Sequence, residues 1–138
     1  PKGARSVGLC RATRFGDLLK EYSSEFKPII LPQIESVKGL EIMKDVLSEQ
    51  TVFGVFVGPY DLSFSLGIPG QFDHPAFINA FDSVRQICDE KDKVFCMYSH
   101  HSEGAMQLLK QGVQMVVIGT DSSIFQSAYK RIIQTISI

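Results

Sequence analysis

Two acidic residues, Glu35 and Asp61, are the positions in this sequence best suited to chemistry. Each lies just beyond a short apolar run, Glu35 at the end of Gln33-Ile34-Glu35 and Asp61 at the end of Gly58-Pro59-Tyr60-Asp61. If those runs are neighbouring strands, the two carboxylates leave the sheet on one rim. Such a pair offers hard oxygen ligands for Mg²⁺ or Mn²⁺, with water and substrate filling the other positions. Gly58-Pro59 fixes the turn that presents Asp61. The same two acids equally suit helix N-caps or first turns, where carboxylates are common after a strand. Spacing alone leaves both readings open.

Other polar groups at run ends carry weaker signals. His100-His101 follows Tyr98-Ser99, but adjacent loop residues point in different directions, so a solvated loop with Ser102 capping the next helix is the plainer expectation. His74 precedes Pro75 and reads as a cap or surface residue. Asp121, in Gly119-Thr120-Asp121, reads as a cap for the last helix. Gly58 and Gly119 either admit a ligand to the backbone or serve only their turns. The chain contains no G-x-G-x-x-G or Walker-type loop, which removes support for nucleotide binding.

Four apolar runs must position these residues: 28–34, 52–57, 94–98 and 115–118. Each is rich in Val, Ile and Phe and barely alternates, as expected of strands buried on both faces of a parallel sheet. Helical stripes lie between them. Val37, Leu40, Met43, Val46 and Leu47 share a face over 36–49. Phe77, Ile78, Phe81, Val84, Ile87 and Cys88 share one over 75–91, with Pro75 at the first helical position and Asp73 or His74 as cap. Ala105, Met106, Leu108 and Leu109 mark a helix ended by Gly112 at C′. Ile124, Phe125, Ala128, Ile132, Ile133 and Ile136 mark the last helix, with Asp121 or Ser122 near its cap. A further helix is expected near 16–24. Alternating strand and helix means parallel strands with right-handed crossovers. Four such units fit either a small open, doubly wound sheet or half of an eight-unit barrel of about 250 residues. In both, the working loops follow the C-terminal strand ends.

The totals narrow the function classes. The 138 residues form a single domain with 44% hydrophobic and 21% charged residues, ordinary for a globular chain. A net charge of −1 and the lack of a basic stripe argue against nucleic acid. No apolar run reaches the roughly 18 residues of a membrane span. The three cysteines are odd in number and widely spaced, so a reducing cytoplasm is the expected compartment.

Longer motifs point further. Gln33-Ile34-Glu35-Ser36 and Val57-Gly58-Pro59-Tyr60-Asp61-Leu62-Ser63 resemble the QIE(T/S) and GPxDLS motifs of the HpcH/HpaI aldolase family. The match continues through Leu66-Gly67-Ile68-Pro69-Gly70-Gln71-Phe72-Asp73-His74-Pro75, the opening Gly3-Ala4-Arg5-Ser6-Val7-Gly8, and Ile118-Gly119-Thr120-Asp121. It covers nearly the whole chain.

The resemblance implies an α/β fold, a (β/α)₈ TIM barrel, with residues 1–138 as its C-terminal half, roughly strands five to eight. The chain opens on Pro1 rather than Met, which processing or truncation could produce; because the resemblance puts the family's first four βα units upstream, truncation is expected. The implied activity is that of a class II, metal-dependent pyruvate aldolase. Such an enzyme reversibly cleaves a 4-hydroxy-2-keto acid to pyruvate and an aldehyde. Glu35 and Asp61 would be the metal ligands, for Mg²⁺ or Mn²⁺, with Co²⁺ or Zn²⁺ also admitted. Gln33 would touch the keto acid, Asp61 would border it, and Tyr60 would offer its backbone. Family members usually carry a small residue at the position of Tyr60, so this ring is expected to narrow the pocket or shift preference. His100-His101 is a second departure from the family pattern. The proton-transfer His and enolate-stabilising Arg are expected upstream, so no catalytic residue is assigned in 1–138, and the chain by itself is expected to be inactive. The family implies a homo-oligomer, a hexamer of dimers that exchange a C-terminal helix. The alternatives are a CoA-thioester lyase of the citrate-lyase β or malyl-CoA lyase kind, and a non-catalytic α/β module that binds a keto acid.

Overall fold

The apolar runs pair side by side. In the computed structural model, which describes residues 9–21 and 27–136, strands β1 (Gln33–Ile34), β2 (Gly54–Val57), β3 (Val94–Ser99) and β4 (Met115–Ile118) form one sheet in the order β1-β2-β3-β4. Every neighbouring pair is parallel. The helices are α1 (Val37–Ser48), α2 (Pro59–Ser65), α3 (Pro75–Lys91), α4 (Ser102–Lys110) and α5 (Asp121–Ile136).

Strand order separates the two architectures. A doubly wound sheet reverses at a switch point, so its spatial order departs from chain order. A barrel adds each strand on the same side as the last. The sequential order found here is that of a barrel wall.

One apolar layer joins sheet and helices. Val55, Val57, Phe95 and Met97 pack against Met43, Leu47, Phe77 and Val84, all buried. β2 and β3 come together closely at Gly54, where a Cβ would run into the Val94 carbonyl oxygen. Helix ends follow local chemistry. Ser36 caps α1 by accepting from Gly39 N at 3.1 Å. The His74 Nδ1 caps α3 by accepting from Ala76 N at 3.1 Å, with Pro75 first in the helix. Gly112, at φ 95°, closes α4 as a C′ residue.

Several expectations need correction. The first strand is short: only Gln33–Ile34 joins the ladder, with a lone bridge from Ile30 to Val52. Pro28 and Pro32 have no N–H to give, and the register slips by one residue between Ile30↔Val52 and Gln33↔Phe56. β4 is not buried on both faces, because it is the edge of the sheet; Val117 is 44% and Ile118 50% exposed. α5 has no buried residue. Ser102 is the first residue of α4 and hydrogen-bonds Glu103, while the cap position is His101. α5 is capped by Thr120, whose Oγ1 accepts from Ser123 N and whose N–H donates to Ser123 Oγ; Asp121 sits one residue later, inside the helix. The stretch expected to turn before Asp61 is the start of α2, which the turn reading overlooked. Near the front a 3-10 helix spans Arg11–Gly16. The helix expected over 16–24 is helical at 19–21, and its remainder lies outside the described residues, as do the opening Gly3–Gly8 motif and Ile138. Among the described residues, no helix is long and apolar enough to cross a membrane.

Candidate functional site

The sequence-predicted residues converge on Gly58. A Cβ placed there would lie 2.8 Å from Gln33 Nε2, 3.5 Å from Glu35 Cβ and 3.6 Å from Asp61 Oδ2. Three side chains from two chain segments therefore surround a point that only glycine leaves open. Pairing brings the first two there: Gly58 N donates to Ile34 O at 3.2 Å, continuing the β1-β2 ladder past the strand ends. α2 brings the third. Gly58 is its N-cap residue, Pro59 its first residue, and Asp61 falls in its first turn.

The rest of the GPxDLS motif anchors this turn. Leu62 is buried in the core. The buried Ser63 hydroxyl donates to Tyr60 O at 2.7 Å and accepts from Gly70 N at 2.9 Å. Gly70 has φ 71°, a conformation that glycine adopts without strain. The serine and the later glycine thus form one clasp that holds α2 against its following loop.

The electrostatic setting suits a cation. Ser36, not Glu35, caps α1, so Glu35 is free of that structural duty; Asp61 keeps a first-turn position. Lys44 pairs with Glu90 and Arg85 with Asp82, and neither pair includes Glu35 or Asp61. Both acids are exposed at the rim. Among the described residues no group of three or more His, Cys, Asp and Glu gathers at one point. Glu35 and Asp61 are the hard-oxygen groups here that could hold a cation, with positions left for water and a small oxygen ligand. The residues present fit a divalent cation of the Mg²⁺ or Mn²⁺ type.

The Tyr60 ring packs on the loop that follows α2. It meets Phe72 edge to face at 5.2 Å and is 54% exposed. With Phe72, Phe77, Phe81, Tyr98 and His100 it borders a cleft of about 480 Å³ between α3 and α4. His100 and His101 are exposed and meet edge to face, with ring centroids 4.7 Å apart. His100 Nδ1 lies 2.9 Å from the Tyr98 hydroxyl. The sequence places Tyr98 at the end of the third apolar run but gives no sign of its link to His100. Cys88 and Cys96 are buried and free. Burial, with Asp89 adding to it, pushes the Cys88 thiol up to about 11. Burial likewise raises Cys96, against a small opposing hydrogen bond from the Met97 backbone.

Known proteins resemble this chain in sequence and in fold. The profile of the HpcH/HpaI aldolase/citrate lyase family matches residues 3–128. The chain belongs to the HpcH/HpaI family. It is 31% identical over 137 residues to a 5-keto-4-deoxy-D-glucarate aldolase of Escherichia coli O6:H1, covering 98% of this chain and 54% of that relative. An HpcH/HpaI aldolase from Desulfitobacterium hafniense superposes with a TM-score of 0.73 at 30% identity, over 99% of this chain and 54% of the other. An HpcH/HpaI aldolase/citrate lyase family protein from Burkholderia cenocepacia gives 0.81 at 25% identity, again over 99% and 54%. The chain spans about half the length of the curated relatives it matches. Its four sequential parallel strands are correspondingly half of an HpcH/HpaI barrel.

Proposed function

We propose that the protein carrying this chain is a metal-dependent carbon–carbon lyase that reversibly cleaves a 4-hydroxy-2-keto acid to pyruvate and an aldehyde. The observation that supports it most is the meeting of Gln33, Glu35 and Asp61 at Gly58 in a chain of the HpcH/HpaI family. Glu35 and Asp61 would hold the divalent cation. When bound, that cation acts as a Lewis acid toward the keto oxygen and stabilises negative charge developing beside it.

The remaining roles fall to this chain's own groups. Gln33 Nε2 donates a hydrogen bond to an oxygen of the keto acid. Gly58 keeps the approach open, since a side chain would occupy the space beside that amide. The Tyr60 N–H lies in the first turn of α2, where helices leave donors without internal acceptors, and it is directed to the same ligand. Proton transfer and enolate stabilisation are assigned to a His and an Arg outside residues 1–138. The glutamine beside the liganding glutamate favours a free keto acid over a CoA thioester, and assaying both substrate types separates the two lyase chemistries.

Glu35→Gln and Asp61→Asn in the full-length protein test the assignment. Loss of groups that merely orient metal ligands already costs roughly 10–100-fold. Loss of a ligand is therefore expected to lower Mn²⁺ affinity, read by calorimetry, and retro-aldol turnover by more than about 100-fold. Wild-type affinity in either variant would remove that carboxylate from the site.

A further inference from the structure

The two acids of the cradle lie between two hydrogen bonds that cross from one chain segment to the other. The first joins backbone to backbone: Gly58 N donates to Ile34 O at 3.2 Å, just ahead of both Glu35 and Asp61. The second closes the far side. Val37 N, first in α1, donates to the hydroxyl of Ser65, last in α2, at 3.1 Å. Ile34, Glu35 and Val37 follow in that order on one segment, and Gly58, Asp61 and Ser65 on the other. Each carboxylate therefore has one tie before it and one tie after it.

Local chemistry explains the second tie. The first N–H groups of a helix have no acceptor within it. In α1, Ser36 answers the one at Gly39, and Ser65 answers the one at Val37. Along α2, Ser65 stands four residues after Asp61. Residues so spaced share a helix face, one turn apart. The face of α2 that carries the acid thus also reaches the start of α1. The Ser63 hydroxyl is committed elsewhere, to Tyr60 O and Gly70 N.

Magnitudes decide what this bond is for. Val37 and Ser65 are both exposed. An exposed donor that loses its partner takes another from water, so the tie adds little to overall stability. A small divalent cation is far less tolerant, since its ligand oxygens must lie within roughly 0.2 Å of the preferred distance. A hydrogen bond that counts for little in folding therefore counts for more in holding two oxygens at one ion.

We infer that Ser65 is a positioning residue for the cation: its hydroxyl fixes the segments of Glu35 and Asp61 relative to each other and so favours a small ion over a large one. This rests on the reading of Glu35 and Asp61 as metal ligands. Ca²⁺ takes longer and more variable ligand distances than the smaller ions, so a loosened pair penalises it less.

The test measures Mn²⁺ and Ca²⁺ affinities of the full-length protein by calorimetry, in the wild type, Ser65→Ala and Ser65→Thr. Ser65→Ala is expected to weaken Mn²⁺ about tenfold, the lower end for groups that orient metal ligands. Ca²⁺ should weaken by less, so the preference for Mn²⁺ narrows, while the urea unfolding midpoint barely moves. Ser65→Thr keeps an acceptor oxygen on the same carbon and should restore both the affinity and the preference. A wild-type protein that binds no Mn²⁺ overturns the metal-ligand reading and this one with it. Where the wild type binds Mn²⁺, three results overturn the role of Ser65 alone: Ser65→Ala binding Mn²⁺ as tightly as wild type, Ser65→Ala losing both ions in equal proportion, or Ser65→Thr binding as weakly as Ser65→Ala.

Discussion

Gly58 is required for space and not for backbone freedom. Its φ of −87° is open to any residue, yet a Cβ would lie 2.8 Å from the far end of the Gln33 side chain. That amide can swing aside cheaply, so Gly58→Ala is expected to spare the fold and harm the site. Thermal unfolding should change by only a few degrees, since about 1 kcal/mol moves the midpoint of a domain this size by roughly 4 °C. The KM for the keto acid should rise about tenfold, as for a lost hydrogen bond of about 1.4 kcal/mol, read by steady-state kinetics. The cysteines behave in the opposite sense. With its thiol pushed up to about 11 by burial, Cys88 carries almost no thiolate at pH 8, and Cys96 is shifted the same way. Thiol reagents should modify the exposed Cys10 first, with Cys88 and Cys96 following only on unfolding; mass spectrometry of the labelled chain reads the order. Because the folded chain holds the Cys88 proton more tightly than the unfolded chain, the stability this confers is complete below the ordinary value of 9.0 and is lost as pH climbs toward about 11.

At the scale of elements, a second glycine gives the contrast. A Cβ at Gly54 would meet the Val94 backbone, which the pairing that opens the β2-β3 ladder holds in place. Gly54→Ala should lower stability by about 1–3 kcal/mol through forced separation of β2 from β3, measured by urea unfolding. Ser36→Ala should cost about 1 kcal/mol by uncapping α1. Much of this layer was legible in the chain. The 3.6-residue stripes of α1, α3 and α4 read directly because each buries one face on the sheet. α2 did not, because seven residues make too short a stripe and its opening Gly58-Pro59 is also turn chemistry. The prolines that cut β1 short were visible, but the slip in register that ends its pairing depends on β2 and is not local. The site divides the same way. Glu35 and Asp61 stand at strand ends that the apolar runs mark, whereas the link between Tyr98 and His100 appears only once strand pairing fixes the loop.

At the scale of the molecule, four sequential strands make an open wall. β4 is an exposed edge, and α5 turns Ile124, Phe125, Tyr129, Ile132 and Ile136 outward, with Phe125 71% exposed. An apolar surface of this kind, beside an unpaired strand edge, favours association. The 138-residue chain expressed alone is expected to sediment above monomer mass, and Phe125→Glu with Ile132→Glu should move it toward monomer. A monomeric wild-type chain would count against that expectation. The same sequential winding has a consequence for biosynthesis. Gln33, Glu35, Gly58 and Asp61 all belong to one strand-helix-strand unit and the short helix α2 that follows it. Contacts this close in sequence form early, because little loop entropy opposes them. A nascent chain that has cleared the ribosome as far as Ser65 already carries every donor of the cradle, so this recognition centre can take shape while β3 and β4 are still being translated.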